Sequence, residues 1–180
     1  NGGQVAILAP TAILATQHAE SFRTLLEPFG IKIALLIGAT KQKNNLKQCI
    51  KNGEIDIIIG THALLTDDTQ FKNLAFCIID EQHRFGVNQR QKLLTKTNHR
   101  APHLLAMTAT PIPRSLQLTV FGDLAVSTIN QLPAERQPIE TKILSEVNQS
   151  TQLYPKIKQA LTKHQQVYWV CKKIETDTKQ

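Results

Sequence analysis

Short, unbroken apolar runs alternate along this chain with longer stretches in which apolar residues recur every three or four positions. Residues 4–9 (QVAILA), 31–37 (IKIALLI), 56–59 (DIII), 75–80 (AFCIID) and 103–107 (HLLAM) are rich in Ile, Leu or Val and bounded by turn residues, which predicts five strands. Continuous rather than alternating hydrophobicity is the pattern of strands covered on both faces, as in a parallel sheet. Between the first two runs, Leu14, His18, Phe22, Leu25, Leu26 and Phe29 form the stripe of an amphipathic helix. Thr11 stands where its N-cap belongs, and Gly30 where it should stop. Residues 40–52 (mostly polar and basic, closed by Gly53), 87–96 and 113–121 predict three further helices. Strands alternating with helices through short loops give an α/β fold: an open, mostly parallel sheet with helices on both faces.

The pattern breaks at residues 130–138 (NQLPAERQP), where two prolines and polar residues read as a linker. A strand (139–144), a helix (151–163) and a strand (166–171) follow, the opening of a second domain. The predicted organisation is a first domain over 1–129, the linker, and the beginning of another over 139–180. Asn1-Gly2-Gly3 precedes the first strand without an initiator Met, and the chain stops soon after a strand-like run. It reads as a segment of something longer.

Composition narrows the class. Of 180 residues, 41% are hydrophobic and 19% charged, which excludes a mainly disordered chain. Lys and Arg exceed Asp and Glu by 21 to 14, a net charge of +7 that favours a polyanionic partner. The basic residues are unevenly spread: six and no acid over residues 82–122, and five lysines and no acid over 31–53. Charge runs are usually solvated faces, so they only add weight to a nucleic-acid reading. Cys49, Cys77 and Cys171 are odd in number and form no CxxC pair, which reads as reduced thiols in the cytoplasm. No apolar run approaches the ~20 residues that span a bilayer, and no signal peptide is evident, so no membrane role is expected.

Chemistry gathers where strands end. Asp80-Glu81-Gln82-His83 follows the most apolar strand, and ligands of open parallel sheets bind beyond the carboxyl ends of strands. Two adjacent carboxylates leaving a buried strand suit a nucleoside triphosphate site: Asp80 to hold Mg²⁺, directly or through water, and Glu81 to orient and deprotonate the attacking water. A solvated loop is the plain alternative. A transition-metal site built from Asp80, Glu81, His83 and His62 lacks any HxxxH or HxH spacing. After the next strand comes Thr108-Ala109-Thr110-Pro111-Ile112-Pro113-Arg114, whose hydroxyls can hydrogen-bond His83 on one side and a moving segment on the other; alone it could equally be a helix cap with a proline behind it. Pro10-Thr11 and Gly60-Thr61-His62 place hydroxyls and backbone N–H groups at two more strand ends, where phosphates are easily held. Plain helix capping satisfies both as well.

The segments LAPTAILATQH, GTHALL, IIDEQHRFGVNQR and MTATPIPRSL resemble, in order, motifs Ia, Ib, II and III of superfamily 2 helicases. The resemblance is closest to the RecG family of bacterial helicases. DEQHRFGV and TATPIPR are also similar to the Mfd translocases, whereas FGDLAVSTINQLPAERQP and VYWVCKKIE are similar to RecG. It implies a RecA-like P-loop NTPase domain plus an incomplete second RecA-like domain, ATP and Mg²⁺ as cofactors, and a monomeric motor acting on branched or double-stranded DNA in recombination and repair. On that resemblance Asp80, Glu81 and His83 are catalytic, and Gln82, Thr108, Thr110 and Arg114 couple the nucleotide to the DNA. Pro10, Thr11, Gly60, Thr61, His62 and Arg84 lie on the DNA path. The phosphate-cradling GxxxxGK[ST] loop is not among these 180 residues and is expected just upstream of Asn1, so the piece by itself is expected to be inactive. An Mfd-like double-strand translocase and a non-enzymatic nucleic-acid-binding module are the alternatives.

Overall fold

In a computed structural model of the chain, residues 2–96, 101–110, 125–131, 138–145 and 149–171 are described. The chain divides into two compact units, Asn1–Leu124 and Ala125–Gln180. The described residues of the first unit hold five strands: β1 (Gln4–Leu8), β2 (Ile33–Leu36), β3 (Ile57–Gly60), β4 (Leu74–Ile79) and β5 (His103–Ala106). They form one sheet in the order β2-β3-β1-β4-β5, and every pairing is parallel. Its helices among the described residues are α1 (Ala12–Leu26), α2 (Lys43–Asn52) and α3 (Val87–Leu94).

Right-handed crossovers decide which face each helix covers. The chain moves one way along the sheet from β1 to β2 and the other way in every later step, so α1 lies on one face and α2 and α3 on the opposite one. The two buried clusters follow this division. Ile7, Ala9, Ile57 and Ile59 pack against Ala15 and Ala19 of α1. Ala6, Leu8, Leu36, Ile58, Cys77 and Ile79 pack with Ile50 of α2 and Leu93 of α3. Each large aliphatic side chain fully buried in these layers contributes roughly 1.5–3 kcal/mol. Burial also pushes the Cys77 thiol up to about 12, so it stays protonated.

Helix α1 shows where periodicity misleads. Thr11 caps it as expected, its Oγ1 accepting from Leu14 N–H at 3.2 Å. Ala15 and Ala19 are its fully buried residues, and the expected stripe members Leu25 and Phe29 are 65% and 80% exposed. Small residues let the helix approach the strands, which turns the stripe by part of a turn. Gly30 and Gly53 both adopt φ near +77°, the left-handed conformation that closes a helical segment at no steric cost.

Gln4 fastens the amino edge of the sheet. Its side chain is buried; Nε2 donates to the carbonyls of Ile50 and Ile55, and Oε1 accepts from the N–H groups of Lys72 and Asn73, all at 2.9–3.2 Å. One amide thus joins the end of α2, the entry to β3 and the entry to β4.

In the second unit, a π-helical turn (Gln149–Leu153) leads into α4 (Tyr154–Thr162), within the expected helix. Tyr154 stacks on Trp169 with ring centres 6.2 Å apart. The expected strands over 139–144 and 166–171 are irregular backbone instead. A strand exists only by its ladder, and among the described residues neither run has a partner strand or a buried layer to rest on. The expected helix over 113–121 lies outside the described residues, as does part of the expected linker.

Gln4→Leu keeps the volume but strands two carbonyls and two N–H groups. It should destabilise the chain by about 2–4 kcal/mol, read as a lower urea midpoint with an unchanged slope.

Candidate active site

The strands end in one row. Leu36 is in register with Gly60, Gly60 with Leu8, Leu8 with Ile79, and Ile79 with Ala106. The ladder runs one residue further: Ala9 N–H donates to Gly60 O, Asp80 N–H to Leu8 O and Met107 N–H to Ile79 O, at 2.8–2.9 Å. Residues following β1, β4 and β5 therefore leave the sheet side by side.

Asp80 leaves β4 with its side chain turned to the face that Ile78 shares with α1. There His18 Nε2 lies 2.8 Å from Asp80 Oδ2, with 29% and 18% of the two side chains exposed. The sequence pattern puts His18 in the helix stripe and assigns it nothing more. The signal it does carry is a polar ring on an otherwise apolar face, a group that needs a partner when half-buried.

Glu81 has a left-handed backbone at φ 48° and ψ 52°, a conformation costing a non-glycine residue about 1–3 kcal/mol. It starts the tight turn Gln82–Arg84. Among the described residues its Oε2 is buried without a good hydrogen bond; His83 Nδ1, 3.4 Å away, is too far for a strong one. His83 Nδ1 also lies 3.5 Å from Thr108 Oγ1, which is 3.0 Å from Thr110 Oγ1. Thr108 Oγ1 accepts the Thr110 N–H at 3.2 Å. A chain of polar atoms thus runs from Glu81 through His83 to the two threonines. Gln82 is 7% exposed; its N–H donates to Met107 O at 3.1 Å, while its buried Oε1 has no hydrogen bond among the described residues.

Beside Glu81 is a cavity of about 390 Å³ lined by Pro10, Thr11, Leu14, His62, Glu81, His83 and Arg84. Residues following β1, β3 and β4 thus share one recess, with Arg84 as its cation. His62 tilts against Phe85 with ring centres 5.8 Å apart. Thr61 caps the turn His62–Leu65 without a side-chain bond and does not line the cavity. Gly60 has a packing role: a Cβ there would come 2.3 Å from Leu36 O and 3.0 Å from a Leu64 carbon. Arg114 lies outside the described residues. Part of the basic charge is also committed elsewhere. Lys96 donates to the carbonyls of Thr66 and Thr69, Lys47 pairs with Asp68, and Lys92 lies 3.7 Å from Asp67. Burial lowers the Lys96 pKa. Among the described residues no group of three His, Cys, Asp or Glu side chains is placed to hold a metal by protein ligands alone.

The sequence profile of the DEAD/DEAH box helicases matches residues 1–119. The chain belongs to that family. It is 45% identical over 181 residues to the ATP-dependent DNA helicase RecG of Aquifex aeolicus, covering 99% of this chain and 23% of that protein. Against the RecG of Haemophilus influenzae the identity is 46%, over 97% of this chain and 26% of that protein. The helicase segment therefore spans about a quarter of the length of these relatives. Among solved structures, RecG bound to a three-way DNA junction superposes with a TM-score of 0.70 at 40% identity, over 90% of this chain and 21% of that one. The helicase MrfA, with a TM-score of 0.53 at 20% identity over 67% of this chain and 22% of that one, shares the fold alone. The parallel sheet is thus the RecA-like core expected of a superfamily 2 helicase.

Gly60→Ala forces the β2 and β3 backbones apart at their ends. It should lower stability by about 1–3 kcal/mol in urea denaturation. Unchanged stability with weakened DNA binding would instead make Gly60 a nucleic-acid contact.

Proposed function

We propose that this chain is the nucleotide-hydrolysing core of an ATP-dependent DNA helicase, a monomeric cytoplasmic motor that remodels branched DNA such as replication forks and Holliday junctions in recombination and repair. The observation that carries this reading is the convergence, at one sheet edge, of the Asp80-Glu81 pair, the His83–Thr108–Thr110 chain and the recess bordered by Thr11, His62 and Arg84. Identities of 42–46% to RecG helicases support junction remodelling over the Mfd-like alternative. The paired carboxylates argue against a purely binding module, since a site that only grips phosphates gains nothing from two anions.

Two adjacent carboxylates are hard oxygen donors that suit Mg²⁺, which is commonly held by one or two carboxylates together with waters and phosphates. Asp80 would hold the ion, directly or through water. When bound, Mg²⁺ neutralises charge on the triphosphate. Glu81 accepts the proton of the water that attacks the γ-phosphorus as the bond to ADP breaks. Its weakly bonded Oε2 suits that task, because a carboxylate already saturated with donors is a poor base. His83 senses the state of Glu81 at 3.4 Å and passes it to Thr108 and Thr110, with Gln82 tied by its backbone to the end of β5. Arg114 extends this coupling group. Pro10, Thr11, His62 and Arg84, which line the recess, border the DNA path, and Gly60 and Thr61 belong to it as the strand end that places His62.

In the intact protein carrying this segment, Glu81→Gln should reduce DNA-stimulated ATP hydrolysis by about a hundredfold or more and leave ATP and DNA binding in place. Loss of DNA binding would make Glu81 structural. On the same preparations, Thr108→Ala with Thr110→Ala should cut fork unwinding much further than hydrolysis. Equal losses, or a large fall in melting temperature, would reduce the two threonines to a cap.

A further inference from the structure

We propose that His18 is a positioning residue for the nucleotide site, holding the Asp80 carboxylate in one orientation from helix α1. The proposal rests on the reading that Asp80 holds the divalent cation. An ionised carboxylate only accepts hydrogen bonds, so His18 Nε2 carries the proton and donates it to Asp80 Oδ2 at 2.8 Å. That bond leaves Oδ1 outside it, for the cation or its water. The helix turns on either side of the imidazole are themselves packed against the core. Leu14 and Phe22, one helical turn before and after it, both pack into the α1 face of the core. The Asp80 backbone is fixed by its own ladder bond to Leu8 O.

A carboxylate at a strand end without such a donor rotates between orientations and must be ordered each time it takes up a cation. Hydrogen-bond partners of metal-binding groups typically change metal affinity about 10–100-fold when removed. His18 does not touch the substrate; it acts through Asp80.

The test is binding of Mn²⁺, a paramagnetic substitute for Mg²⁺, to the intact protein saturated with ADP, followed by electron paramagnetic resonance of the free ion. ADP affinity without metal and the melting temperature serve as controls. His18→Leu should weaken Mn²⁺ binding about tenfold or more, with metal-free ADP affinity unchanged. His18→Gln, whose amide can still donate, should recover most of it. Unchanged Mn²⁺ affinity in His18→Leu while Asp80→Asn loses it, or failure of glutamine to recover what leucine loses, would overturn the role of His18. Unchanged Mn²⁺ affinity in Asp80→Asn would overturn the reading of Asp80 itself.

Discussion

The site depends on one continuous hydrogen-bond ladder that carries the register past the ends of the strands. Leu36, Gly60, Leu8, Ile79 and Ala106 lie in one row, and the N–H groups of Ala9, Asp80 and Met107 still bond across it. A slip of one residue in β4 would send Asp80 to the α3 face and Ile79 towards α1, because side chains alternate along a strand. The register is protected because both layers demand it: the α1 face takes Ile7 and Ile59, the other Leu8 and Ile79. Hydrophobic packing on two faces thus sets the position of two carboxylates to within a side chain's reach of their partners.

On this frame, polar groups are placed with contrasting degrees of satisfaction. Gln4, at the amino edge, has its four side-chain hydrogen-bonding opportunities filled and serves the fold. At the carboxyl edge, Glu81 sits in a left-handed conformation with a buried oxygen that lacks a good donor among the described residues, and Gln82 buries a carbonyl that has no partner among them. Both are local costs, tolerated because the sheet below is over-determined. Their concentration at one edge separates the fully bonded part of the sheet from the end that carries the candidate site.

Much of this arrangement is legible in the amino-acid sequence. All five strands lie within a residue or two of their expected bounds, since a strand buried on both faces writes itself as an unbroken apolar run. DEQH and TAT are adjacent strand-end motifs along the chain, and they are adjacent in space. What is not legible depends on long-range geometry. The His18–Asp80 bond joins residues 62 apart, and only the crossover of α1 above the sheet brings them together. The tight seat of Gly60 follows from the approach of β2, which no local pattern announces. Lys47, Lys92 and Lys96 read as part of a nucleic-acid face but serve the loop at residues 66–69, because charge counts ignore where a partner folds. The runs at 139–144 and 166–171 have strand composition but no ladder among the described residues, and composition alone does not make a strand.

If the shared strand-end row holds the nucleotide's cation, a bound metal should be found beside Asp80. Crystals of the intact protein with Mn²⁺ and a non-hydrolysable ATP analogue test it through the anomalous scattering of the metal. The expected result is an anomalous peak beside Asp80, with His18 still bonded to the same carboxylate and Glu81 facing the terminal phosphate. A nucleotide-bound Mn²⁺ peak remote from Asp80 would contradict it.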